Sequence, residues 1–233
     1  MKNLLSTVIF SLFFCSFYAN DIDTSKIQQS CLEIHQSWLA LNLELTKNTA
    51  GYSAPVAARS FLYISIAMAE SSHWICNDFT GFSGRLNELQ MPKQQIQGKV
   101  SYEHIANYVD YEIAKYFFSN TSPFDLNKIE SKYQSEKNKY RKQYSRKSLN
   151  KSENYAHCII DEMINWSKMD GGHNCWVKNF PEDYEIVYCD SCWVKTFPGY
   201  IGALQPYWGR NRLSLLENGS ICNDIPYVPF SND

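Results

Sequence analysis

Four side chains in the last third of the chain, His173, Cys175, Cys189 and Cys192, have the residue types of a tetrahedral zinc site. Cys189-Asp190-Ser191-Cys192 has the knuckle spacing that lets two thiolates grip one ion, whereas His173-x-Cys175 is a less usual second half. The same thiols support a competing chemistry. With Cys15 removed in an N-terminal leader, seven cysteines remain: Cys31, Cys76, Cys158, Cys175, Cys189, Cys192 and Cys222. In an oxidising compartment they pair as disulfides, with one left over. A disulfide within the Cys175–Cys222 region is the preferred reading over zinc.

Other reactive patterns are weaker. Arg59 and Glu70 are charges inside an otherwise apolar helix, which more often marks a packed ion pair than an anion site. Asp161-Glu162, and Asp170 with His173, can be drawn as acid–base pairs, but carboxylates at helix ends are ordinarily just solvated. Lys132 to Lys151 is strongly basic, with Tyr133, Tyr140 and Tyr144 at helical spacing. That pattern suits a partly buried tyrosine stripe with lysines in solvent. The formal net charge of −2 gives no global pull towards nucleic acid or acidic lipid. There is no Gly-x-Ser-x-Gly, no His-Glu-x-x-His and no phosphate-cradling glycine loop.

The elements that must position these residues are mostly helices. Residues 1–20 read as a signal peptide: Lys2 precedes a short apolar run from Leu4 to Phe17, too short to span a bilayer. Export to the periplasm or beyond follows, with no membrane span after cleavage. Residues 21–170 form a helical bundle. Ile27, Cys31, Ile34, Trp38, Leu41 and Leu45 mark a first helix over 24–47. Pro55 opens a second, apolar on nearly every face and expected at the centre, with Ser53 as its cap. Ser101 caps a third helix bearing Ile105, Val109, Ile113 and Phe117. A long helix runs from 124 to 146 and another from 148 to 169, closed by Asp170 and the left-handed propensity of Gly171-Gly172. Residues 171–233 lose periodicity and form an irregular, aromatic- and cysteine-rich tail, expected to wrap the bundle through Trp193, Phe197, Tyr207 and Trp208. The fold class is all-α.

Three landmarks occur in a fixed order: Gly51-Tyr52-Ser53-Ala54-Pro55-Val56-Ala57-Ala58-Arg59, Trp166-Ser167-Lys168-Met169-Asp170-Gly171-Gly172-His173, and Leu204-Gln205-Pro206-Tyr207-Trp208-Gly209-Arg210-Asn211-Arg212. They resemble the N-terminal, helical part of bacterial proteins in the vanadium haloperoxidase and type 2 phosphatidic-acid phosphatase superfamily. The resemblance covers the chain from about residue 30 onwards. It implies halide oxidation with peroxide, or phosphomonoester hydrolysis, in a full-length form. That superfamily holds its oxyanion with Lys-x6-Arg-Pro, Pro-Ser-Gly-His and Ser-Arg-x5-His-x3-Asp, and none of these occurs here. No catalytic or cofactor-binding residue therefore carries over. Vanadate is expected only with a C-terminal catalytic half, which is the expected partner beside a second copy of the chain. The chain alone is expected to be inactive, and a non-enzymatic exported binding or scaffold module is the alternative.

Overall fold

The computed structural model describes residues 24–76, 79–93, 95–190 and 192–215. The expected signal peptide at 1–20, together with Cys15 and Cys222, lies outside them. Five helices make up the bundle: α1 (Thr24–Asn48), α2 (Ala54–Ser72), α3 (Tyr102–Phe117), α4 (Pro123–Tyr140) and α5 (Arg146–Lys168). Among the described residues there is no strand, and the all-α class holds.

Local chemistry sets the helix starts. Ser101, Ser122 and Ser145 each stand just before a helix, and each hydroxyl accepts from a first-turn amide, those of His104, Asp125 and Ser148, at 3.1 Å. Pro123 occupies the first turn of α4, where a missing N–H costs nothing. The Ser145 cap divides what the sequence reads as one long helix from 124 to 146. Residues 141–145 form a turn instead, and α5 starts afresh at Arg146.

The centre of the bundle is α3, rather than the more apolar α2. It packs against α1, α2, α4 and α5. Ile105, Ala106, Val109 and Ala114 are wholly excluded from solvent. Two of its polar residues are paired inside: Asn107 accepts from the Trp38 indole at 2.9 Å, and His104 Nε2 meets Glu153 at 2.9 Å. Hydrophobic periodicity alone cannot rank two buried helices, because satisfied polar groups are tolerated at a centre.

The tail lies on the bundle through polar anchors. Gln205 is buried, and its amide donates to the Cys175 carbonyl at 2.8 Å and to Asn179 at 3.0 Å. Asn179 in turn donates to the Gly51 carbonyl and accepts from Ser53, both at 2.7 Å. Ser53 therefore precedes α2 without capping it through its side chain. Two of the rings expected to anchor the tail do not, since Phe197 is 80% exposed and Trp193 48%; the other two, Tyr207 and Trp208, are half-buried. An irregular segment must satisfy its own backbone, which amide side chains do and aromatic rings cannot.

Replacing Ile105 with alanine should cost about 2–5 kcal/mol, the range for emptying a well-packed core position. Leu43, half exposed on α1, should tolerate alanine within about 0.5 kcal/mol. Urea denaturation midpoints of the two variants test the contrast. Equal losses would mean that α3 is not the packed centre.

Candidate functional site

The three sequence landmarks converge on one carboxylate. Asp170 sits two residues beyond α5, and its side chain is fully buried. Its Oδ2 accepts from Tyr63 Oη at 2.5 Å and from Arg59 Nε at 2.6 Å, and it also pairs with Arg59 Nη2. Its Oδ1 accepts from the backbone amides of Arg212 at 2.9 Å and Gly172 at 3.3 Å. Arg59 also donates to the Arg212 carbonyl at 2.6 Å. Helix α2, the end of α5 and the tail are thereby tied at a single point. Burial opposes ionisation of Asp170, but the hydrogen bonds from Tyr63, Arg212 and Arg59 outweigh it and hold the carboxyl below its usual range.

Arg212 extends this clasp. Its guanidinium lies 4.2 Å from the Trp166 ring centre, donates to the Trp166 carbonyl at 2.7 Å and meets Glu88 at 3.0 Å. The carbonyl of Trp166 belongs to the last turn of α5, where intrahelical partners run out, so Arg212 serves as its cap. Arg210 of the same motif points elsewhere: it is exposed and stacks 4.2 Å from the Tyr207 ring centre.

The glycines of the second landmark work differently from their sequence reading. Neither Gly171 nor Gly172 takes the left-handed conformation; the residue that does is Asn174, at φ 51°. What they provide is room. A Cβ on Gly172 would lie 2.7 Å from Arg59 Cγ, and one on Gly171 would lie 2.6 Å from Asn211 Oδ1. Gly51, by contrast, combines φ 85° with a close approach, since a Cβ there would meet the Trp176 carbonyl oxygen at 2.5 Å.

The four residues read as zinc ligands do not assemble. Cys189 and Cys192 are joined to each other as a disulfide, which removes both thiolates. Cys175 is buried with its thiol on the Gly171 carbonyl, and burial pushes it up, away from the thiolate. His173 lies between Ser167 Oγ at 3.1 Å and Tyr116 Oη at 3.4 Å. Among the described residues, no three His, Cys, Asp or Glu side chains come together to hold a metal. The disulfide falls within the Cys175–Cys222 region, where the sequence places one.

The remaining candidates are structural too. Glu70 is buried, accepts from the Phe82 amide and lies 3.8 Å from His73. Asp161 is exposed and Glu162 half-buried on α5, away from the clasp. In the basic segment, Lys137 pairs with Glu153 at 2.9 Å, Lys139 with Glu136 at 2.7 Å, and Lys132 lies over the Trp38 ring. Tyr133 is buried and Tyr140 and Tyr144 are half-buried, the partly buried stripe that their spacing implies. Sequence reasoning passed over Tyr63, a polar group in an apolar helix with no local signature, and gave Asn179 and Gln205 no role.

No family model matches the chain, and no curated protein matches it. Among solved structures it is similar to one described as the crystal structure of the first bacterial vanadium-dependent iodoperoxidase, with 20% identity and a TM-score of 0.61. The match covers 79% of this chain and 43% of that one, so the chain spans less than half the length of that structure. Over the matched residues the two chains share a fold, in the direction that the three landmarks imply.

Asp170→Asn should cost about 3–5 kcal/mol, because it leaves Arg59 buried without its counter-charge. The pH dependence has a definite sign. The stability contributed by a carboxyl held below its usual range is fully present above the unfolded pKa of ~4 and is lost as pH falls through the folded value. Melting curves between about pH 2 and pH 6 should therefore drop more steeply for the wild type than for Asp170→Asn. Parallel curves would mean that the carboxylate is not the ionised keystone. Gly172→Ala should lower the melting temperature by crowding Arg59, and an unchanged temperature would count against the close approach.

Proposed function

We propose that this chain is the N-terminal, helical structural portion of a vanadium haloperoxidase- or acid phosphatase-like protein. By itself it neither oxidises halide nor hydrolyses phosphomonoesters. One observation carries the reading: at the clasp where the landmarks meet, each buried guanidinium is already engaged. Arg59 is held by Asp170 and Arg212 by Glu88 and the Trp166 carbonyl. An oxyanion such as vanadate needs several cationic donors directed at one point with no resident carboxylate among them. Asp170 occupies that point. The residues present do not fit vanadate, and no reaction step is assigned to them.

The shared fold supports the haloperoxidase-like half of the proposal, and the absence of Pro-Ser-Gly-His and its partner motifs from this sequence supports the structural role. Export belongs to the same reading. A disulfide such as Cys189–Cys192 is at home in an oxidising compartment. Among the described residues, no helix is long and apolar enough to cross a membrane. A second reading, a non-enzymatic exported binding module, is favoured by the exposed tail side chains Val187, Tyr188 and Phe197.

The test uses the purified 233-residue chain and orthovanadate. The vanadium NMR signal of free vanadate should stay unchanged on adding protein, and neither peroxide-dependent iodide oxidation nor p-nitrophenyl phosphate hydrolysis should exceed the buffer blank. Stoichiometric vanadate binding by this chain would overturn the structural role. Translating the source DNA beyond codon 233 in three frames should reveal Pro-Ser-Gly-His with its lysine–arginine and histidine partners. If those motifs are missing, the haloperoxidase-like assignment fails and the binding-module reading replaces it.

A further inference from the structure

A second polar constellation lies away from the clasp, on a cavity of about 740 Å³ between α1, α2 and the segment that follows α2. His35 of α1 is held by Asp110 of α3, with 2.7 Å between Nδ1 and Oδ2. On its other side, Nε2 is 2.9 Å from Ser72 Oγ at the end of α2. Ser72 and His35 both line the cavity, and both are only partly buried. The neighbouring Ser71 is farther, at 3.4 Å, is buried, and donates instead to the Met68 carbonyl at 2.7 Å. A hydroxyl, an imidazole and a carboxylate in this order and at these distances match the arrangement that activates a serine nucleophile.

Asp110 adds an independent observation. Its side chain is fully buried, yet its second oxygen, Oδ1, has no hydrogen-bond partner among the described residues. A half-satisfied carboxylate in the interior costs stability, so packing alone does not account for it. Groups of this kind concentrate where they orient a reactive side chain.

We propose that Ser72, His35 and Asp110 form an acyl-transfer site that cleaves esters of small apolar carboxylic acids. The cavity falls within the usual size of small-molecule sites, and Leu32, Met68 and Phe79 supply its apolar wall. Asp110 accepts from His35 Nδ1, which leaves the Nε2 lone pair facing Ser72. As Ser72 Oγ bonds to the ester carbonyl carbon, its proton passes to His35 Nε2. The carbon–oxygen bond to the alcohol then breaks, and His35 returns that proton to the departing alcohol. Water attacks the acyl-serine by the same route, releasing the carboxylic acid and restoring Ser72. Gln28 and Gln29 of α1 also line the cavity, and each has one Nε2–H beyond the bond it already makes, the kind of donor that the transient oxyanion requires.

The titration of His35 gives a readout that a structural hydrogen bond would not. Burial pushes its pKa down, but Asp110 outweighs burial and holds it above the ordinary imidazole value. The other groups around the pair are Lys132 of α4, which acts on Asp110, and the Cys31 and Cys76 thiols, which lie beside the same carboxylate or cavity. The reactive, neutral imidazole therefore appears on raising the pH past a midpoint higher than ~6.5.

The test is covalent labelling of the full chain with an alkyl fluorophosphonate, followed by peptide mass mapping. Ser72 Oγ bonds to phosphorus, fluoride departs, and the hydroxyl proton leaves through His35. The expected result is one phosphonyl group on Ser72, absent in Ser72→Ala and formed at least tenfold more slowly in His35→Gln, within the ~10²–10⁴ range of general-base assistance. Asp110→Asn should slow labelling and move its pH midpoint downwards, since burial then acts on His35 unopposed. Unmodified Ser72 in folded wild-type protein would overturn the proposal, as would equal labelling in folded His35→Gln. Should His35→Gln fail to fold, the wild-type profile decides: a rise with one midpoint above ~6.5 supports the site, and a flat profile overturns it.

Discussion

A single ionised carboxylate holds the architecture together. Asp170 follows a helix C-terminus, a position where the helix dipole disfavours negative charge. It is tolerated because Arg59 supplies a compensating cation from α2 while Tyr63 and two backbone amides complete its coordination. Charge-assisted hydrogen bonds in a water-poor setting are strong and directional. They fix the end of α5, the face of α2 and the course of the tail at once. Arg212 reinforces the arrangement by covering an α5 carbonyl that the helix leaves unsatisfied.

Two kinds of cohesion divide the chain. The bundle is held by burial of apolar surface around α3, with ring contacts such as Tyr63 against Phe117 at 5.2 Å and Tyr111 against Tyr133 at 4.2 Å. The tail is held by amide side chains and by glycines that let backbone and guanidinium approach closely. Some of its aromatic residues face outwards, which leaves apolar surface at Tyr188 and Phe197. Carboxamides suit an irregular segment because each offers both donors and an acceptor to unpaired backbone groups.

The helical extents were legible where hydrophobic periodicity was clear: the first helix, the helix after Ser101 and the helix ending before Asp170 lie close to where spacing puts them. The break at 141–145 was hidden because the basic residues there are good helix formers and carry no turn signature. The clasp was only half legible. Its residues sit in the three landmarks, but their purpose depends on pairings such as Arg59 with Asp170, 111 positions apart. The glycines of the second landmark were read through backbone freedom, when their contribution is the missing Cβ. His35, Ser72 and Asp110 gave no sequence signal, since each stands alone among helical neighbours and they meet only through packing.

The distances along the chain between clasp residues also order its assembly. Local contacts form early, whereas contacts that close long loops bear the entropy of bringing distant segments together. The helices and their caps need only neighbours a few residues away. Arg59 reaches the Arg212 carbonyl across 153 positions. During synthesis, the bundle is complete in sequence at Lys168 while the strap that locks it has yet to emerge. The clasp is thus the last joint to close, and until it does, Arg59 and Asp170 lack the backbone partners that the tail brings.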